Sequence, residues 1–354
     1  MIKRIGTPLL VLLSLFLFQT RSAAQIGISN DSELAREASK RKFMVVADEL
    51  SEKEIKKYKK KGNLKLVQEE FDRRNEKLKK LFAEHWKINP EVVYKTEKEL
   101  AALQKAKSNE YVYVKLKYMT DMKTKKNMIT RMQKTYYYSY YFFTLSLTDS
   151  KKTLGTVTSR GPVINDLEYL FAINTLQYFL QYTAEGNKRG DLEEGINAGA
   201  HELKKKTLLL PDYLTQLNAA EIKANYPYDV KVVPEKEIIE KINQKDGQYA
   251  YAYVNHRFGS CGTRYNHIIV DCGSGRPLIL DKRNAIALGT SSQMSIFDDI
   301  ATLKQVLGKD GSQVSAFKQK FVKAKQLKKY TEIINGKYDD KEEEESGDET
   351  AKAE

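Results

Sequence analysis

Two periodicities alternate along this chain, and they do so twice. An apolar run at 43–47 predicts a buried strand, and the charged stretch from Ser51 to Trp86 predicts a long or broken helix rich in Lys and Glu. Val92-Val93-Tyr94 predicts a second strand. A helix should start at Thr96, which with Glu99 forms a capping box, and Ser108-Asn109 supplies the turn that ends it. The period then changes to two, with Val112, Val114 and Leu116 alternating with Tyr111, Tyr113 and Lys115. Further strands at 136–148 and 153–158 complete an antiparallel meander, and an amphipathic helix at about 164–183 closes the unit.

The same series returns in the second half: a strand at 207–211, a helix at 214–225, a strand at 230–233 and a helix from Pro234. Tyrosine-bearing alternation follows from Tyr249, then strands at 265–272 and 277–281 and a closing helix at about 294–307. Val92 to Tyr118 lies over Val230 to His256 without a gap. Glu97-Lys98-Glu99 falls on Glu235-Lys236-Glu237, Lys107 on Lys245, and Tyr111 and Tyr113 on Tyr249 and Tyr251. The expectation is an α/β fold with mixed sheets, built as two tandem copies of a β-α-β-α-β-β-β-α unit. The first unit spans 25–185, a linker helix 186–206, and the second unit 207–310. A lysine-rich helix (311–338) and an acidic tail (339–354), too poor in apolar residues to order, end the chain.

The first 24 residues fall outside this pattern. Lys3 and Arg4 precede an unbroken apolar stretch from Pro8 to Phe18, and Ser22-Ala23-Ala24 offers small residues for cleavage before Gln25. Eleven helical residues rise only about 16 Å, half a hydrocarbon core, so the stretch predicts a cleaved secretory signal rather than an anchor. Export makes the protein periplasmic or secreted, and it disfavours nucleic acid as a partner. No later stretch reaches transmembrane length.

Charge sharpens the picture. The formal net charge is +13, yet the tail holds nine acids and two lysines, so the body from 25 to 338 stands near +17. A lysine-rich surface keeps a protein soluble. It also suits an acidic envelope partner: a protein, an anionic glycan or a membrane surface. Met119, Met122, Met128 and Met132 are interleaved with Lys123, Lys125, Lys126 and Arg131, pairing adaptable apolar side chains with cations. In the run Thr135 to Phe143, parity sends Tyr137, Tyr141 and Phe143 to one face, expected to be the core. Tyr136, Tyr138 and Tyr140 take the other, where with Tyr111 and Tyr113 they would make an aromatic platform.

Cys261 and Cys272 are the only cysteines, and in an exported chain they are candidates for a disulfide pinning a hairpin. Around them His256, Arg257, Arg264, His267 and Asp271 form the densest polar cluster, an alternative site for a thiol enzyme or hydrolase confined to the second unit. Its spacing matches no zinc or protease signature, and Gly273-Ser274-Gly275-Arg276 lacks the Lys-Ser/Thr ending of a phosphate loop. Neither a cofactor nor a metal site is predicted. The expected function is binding without catalysis, through the basic tyrosine-rich surface. The other alternative is a small-molecule site in the cleft between the units.

Overall fold

A computed structural model describes residues 26–126, 133–160, 164–259, 262–282 and 321–337. The signal sequence, the closing helix expected at 294–307 and the acidic tail lie outside the described residues. The first half comprises β1 (Ile26–Ile28), α1 (Ser32–Lys40), β2 (Lys42–Val46), α2 (Glu52–Lys60), α3 (Leu64–His85), β3 (Val92–Lys95) and α4 (Glu97–Lys105). It continues through β4 (Tyr111–Lys126), β5 (Gln133–Leu147), β6 (Thr153–Thr158) and α5 (Asp166–Ala184). The second half comprises α6 (Leu192–Asn197), β7 (Thr207–Pro211), α7 (Ala219–Asn225), β8 (Val230–Val233) and α8 (Glu235–Asn243). β9 (Tyr249–Gly259), β10 (Gly262–Asp271), β11 (Pro277–Lys282) and α9 (Ala324–Ile334) follow.

Two mixed sheets result, ordered β1-β6-β5-β4-β2-β3 and β11-β10-β9-β7-β8. In the first, β2 is parallel to β3 and β4, and β4-β5-β6 is an antiparallel meander. In the second, β7 is parallel to β8 and β9, and β9-β10-β11 is the meander. Register agrees at the central seams: Phe43 stands opposite Val92 and Val112, and Leu208 opposite Val230 and Ala250. Lys107 and Lys245 close α4 and α8 in the same left-handed conformation, with φ of 50° and 52°.

The halves differ where sequence offered little pattern. β1 adds an edge strand on β6, and α1 packs against α5. The long charged stretch breaks at Gly62, whose φ of 72° suits glycine, into α2 and α3. The expected linker helix splits into short 3-10 turns around α6. A side chain at Gly195 would meet the Tyr182 hydroxyl at 2.7 Å, so close packing admits only glycine there.

Helix α5 sits between the sheets. Leu176 and Phe179 pack on the first sheet, where a side chain at Gly155 would meet Leu176 at 3.1 Å. Phe171 stacks on Tyr253 of the second sheet with ring centroids 3.7 Å apart. Each such aromatic or Leu side chain withdrawn from water contributes about 1.5–3 kcal/mol, so α5 joins both halves into one apolar core. α7 and α9 cover the opposite face of the second sheet, around Leu208, Leu210 and Ala252. No described helix is long and apolar enough to cross a membrane.

Candidate functional site

β4 and β5 outrun their neighbours. β2 accompanies β4 only to Lys115, and β6 meets β5 only from Phe142 onward. Lys117–Lys126 and Gln133–Phe142 therefore pair as a two-stranded ribbon about 30 Å long at 3.3 Å per residue. Lys123 stands opposite Tyr136, Asp121 opposite Tyr138, and Lys125 opposite Lys134. At its base Tyr118 and Met119 are exposed. A shorter ribbon occurs in the second sheet, where β9 and β10 pair beyond the reach of β7 and β11, setting Arg257 opposite Arg264. The Met- and Lys-bearing stretch is thus strand at 119–126 and 133–134.

Both ribbons leave the body at one junction. Thr158, opposite Phe142 at the first ribbon's base, donates its hydroxyl to Asn255 of β9 at 3.2 Å. Asn255 Nδ2 in turn donates to the Thr158 carbonyl at 2.9 Å. Beside this seam lies a buried ionic network. Glu168, 2% exposed on α5, accepts from the Arg160 side chain, from the Arg160 backbone N–H at 3.1 Å and from the Tyr253 hydroxyl at 2.5 Å. Arg160 also donates to Glu235 at 2.9 Å, and Tyr213 donates to the same carboxylate at 2.7 Å. Asn165 caps α5 through the Glu168 N–H and donates to Glu235 as well. Burial works against the charge on Arg160, but the carboxylates of Glu168 and Glu235 outweigh it and hold its pKa above the ordinary value. Burial beside Glu168 pushes the Tyr253 phenol well up, so it stays protonated and keeps donating.

Sequence reasoning missed this network. Glu235 reads as a helix-dipole carboxylate, and Arg160 carries no local signal. The available clue was Glu168, a lone carboxylate among Leu167, Tyr169, Leu170 and Phe171, which demands a buried partner.

The predicted residues fare unevenly. Tyr136, Tyr138, Lys123, Lys125 and Lys126 are placed by backbone register only, and Arg131 lies outside the described residues. The aromatic platform is not formed as expected. Tyr111 and Tyr113 are 8% exposed beneath Leu100 of α4, and Tyr140 is equally buried. On the core face the parity argument agrees with the structure: Phe143 and Leu145 are fully buried, and Tyr141 accepts from Arg74 at 2.9 Å.

The described members of the second unit's polar cluster, His267 and Asp271, have separate partners. Arg264 and Asp271 stand seven residues apart along β10, about 23 Å at 3.3 Å per residue. His267 is fully buried, with Nδ1 2.8 Å from the Tyr330 hydroxyl of α9. Asp271 is bound by Lys206 at 3.0 Å and by the Ser274 hydroxyl at 2.6 Å. The side chains of His256, Arg257 and Arg264 lie outside the described residues. Cys272 is a free, buried thiol. Cys261 lies outside the described residues. Burial, then the nearby Asp271 and Asp246, push the Cys272 thiol far up, which disfavours a thiolate. Among the described residues no group of three or more His, Cys, Asp or Glu could hold a metal ion.

A cleft of about 320 Å³ opens between the halves. The end of α3 contributes His85, Lys87 and Ile88, and α5 contributes Asn174, Gln177 and Tyr178. Ile242 and Lys245 from α8 and the Cys272–Arg276 turn complete it. Burial lowers the His85 pKa; Glu84 opposes it, and Lys87 and Lys245 add smaller lowering effects. No protein-family model matches this chain, and comparison with curated proteins and with solved structures returns no significant match.

Proposed function

We propose that this chain is an exported, non-enzymatic binding protein, descended by duplication of one α/β unit, that engages an acidic cell-envelope partner through its two basic ribbons. The observation that carries the reading is cross-strand register. Lys125 pairs in register with Lys134 and Arg257 with Arg264, and like charges at directly opposite positions weaken strand pairing. An isolated two-stranded ribbon is marginally stable to begin with. Anionic groups of a partner relieve that repulsion and gain attraction from each cation. Duplication is supported by the common strand order and by the matching register at β2 and β7. Export rests on the first 24 residues.

The test is retention by cell-envelope fractions after the triple reversal Lys123→Glu, Lys125→Glu and Lys126→Glu. The expected result is release of the variant at physiological salt, with the circular dichroism of the body unchanged. Retention equal to that of the parent refutes the role of the ribbon. Thiol titration separates this reading from a thiol enzyme: a fast-reacting thiol of depressed pKa in the native protein would favour the enzyme.

A further inference from the structure

The cleft between the halves has a composition that the ribbons do not explain. Among the described residues no Asp or Glu lines it, whereas Lys87, Lys245 and Arg276 do. Arg276 is neutralised by Glu202 at the rim. Lys87 Nζ reaches only the Ala83 carbonyl, at 3.5 Å, and among the described residues neither it nor Lys245 is paired with a carboxylate. Lys87 and Lys245 line the cleft together with His85, whose Nε2 lies 4.0 Å from the Glu84 carboxylate. Ile88, Ile242 and Tyr178 add apolar surface to the lining.

The turn at the mouth is shaped for this docking. Gly275 has φ of 71°, and a side chain there would meet Asn174 of α5 at 2.4 Å. The corresponding position of the first half's turn carries Lys151, at φ 56°. The second half's turn seats against α5 and lines the cleft, whereas Asp149 of the first half's turn binds Arg41 at the end of α1 at 2.9 Å.

One competing account is purely structural. α3 ends at His85 and α8 at Asn243, and cations near helix C-termini balance the negative end of the dipole. Each dipole end amounts to about half a charge, so two full lysine charges leave a positive surplus.

We propose that this cleft binds a small organic anion, with a carboxylate or phosphate head held by Lys87 and Lys245 and an apolar body against Ile88, Ile242 and Tyr178. Its volume falls at the lower end of ligand pockets, about 300–1,000 Å³, which restricts the ligand to a small molecule. The site is separate from the ribbons, so it stands or falls independently of them.

Calorimetric titration of the full chain at low ionic strength with benzoate, phenyl phosphate and neutral benzamide tests it. Saturable binding of benzoate or phenyl phosphate, with none of benzamide, is expected, and the better of the two identifies the head group. Lys87→Gln and Lys245→Gln should each weaken that binding about fivefold, as partly screened attraction at a half-open site predicts. The control variant Lys53→Gln/Lys56→Gln, on α2, should leave it unchanged. No saturable binding of either anion, equal binding of benzamide, or equal loss in the control overturns the proposal.

Discussion

Replacing Glu168 by Gln removes one charge at the point where both halves meet, and its cost can be worked from the contacts. One carboxylate oxygen accepts from the Arg160 side chain, and the other accepts both the Arg160 backbone N–H and the Tyr253 hydroxyl. A carboxamide keeps the shape but turns one oxygen into a donor. Aimed at the Arg160 side chain, it sets donor against donor. Aimed the other way, it forces Tyr253 to accept and leaves the Arg160 backbone N–H unpaired. Either choice loses a hydrogen bond to a charged group, about 1.5–3 kcal/mol, and orphans a buried donor at about 1–3 kcal/mol. Glu235 still pairs with Arg160 at 2.9 Å, which keeps the total at the low end, about 3 kcal/mol. With a urea slope of about 3 kcal/mol/M for a chain of this size, the midpoint should fall by about 1 M. Fluorescence and far-ultraviolet dichroism should be followed together, because the two halves need not unfold in one step. A midpoint shift below about 0.3 M by both probes would refute the assignment of this network as the joint between the sheets.

Other expectations follow from single sites. Gly275→Ala combines a left-handed backbone with contact against Asn174 and should destabilise by about 3 kcal/mol, whereas Lys151→Gly in the equivalent turn should stabilise by up to about 1 kcal/mol; thermal melts of the pair check the opposite signs. Tyr226 is fully buried with an unpartnered hydroxyl, so Tyr226→Phe should raise stability by about 1 kcal/mol, and a clear loss in urea titration would contradict the packing described. The folded-state pKa of His85 is depressed, chiefly by burial, so the neutral ring contributes stability above its unfolded value of about 6.5 and loses it as pH falls below that. His85→Gln should therefore flatten the pH dependence of the unfolding midpoint between about pH 7 and 5; an unchanged slope would refute the depressed pKa.

The sequence by itself determined the elements, because local physics produces them. Alternation at Tyr111–Leu116 and Tyr249–Val254 demanded strands, Thr96 with Glu99 demanded a helix start, and both are where expected. Residues 92–118 and 230–256 each run strand, helix, strand within a mixed sheet, as their apolar patterns demanded. Only the tertiary structure decided what those elements cover. Tyr111, Tyr113 and Tyr140 read as a surface platform, but parity names a face without saying whether a helix lies on it, and α4 lies on that of Tyr111 and Tyr113. Cys272 reads as a bridge candidate from sequence alone, whereas its burial as a free thiol is set by packing. Arg160, Glu168 and Glu235 meet across as many as 75 residues of chain, and no local pattern encodes a contact whose partners are joined only by the packing of α5 between two sheets.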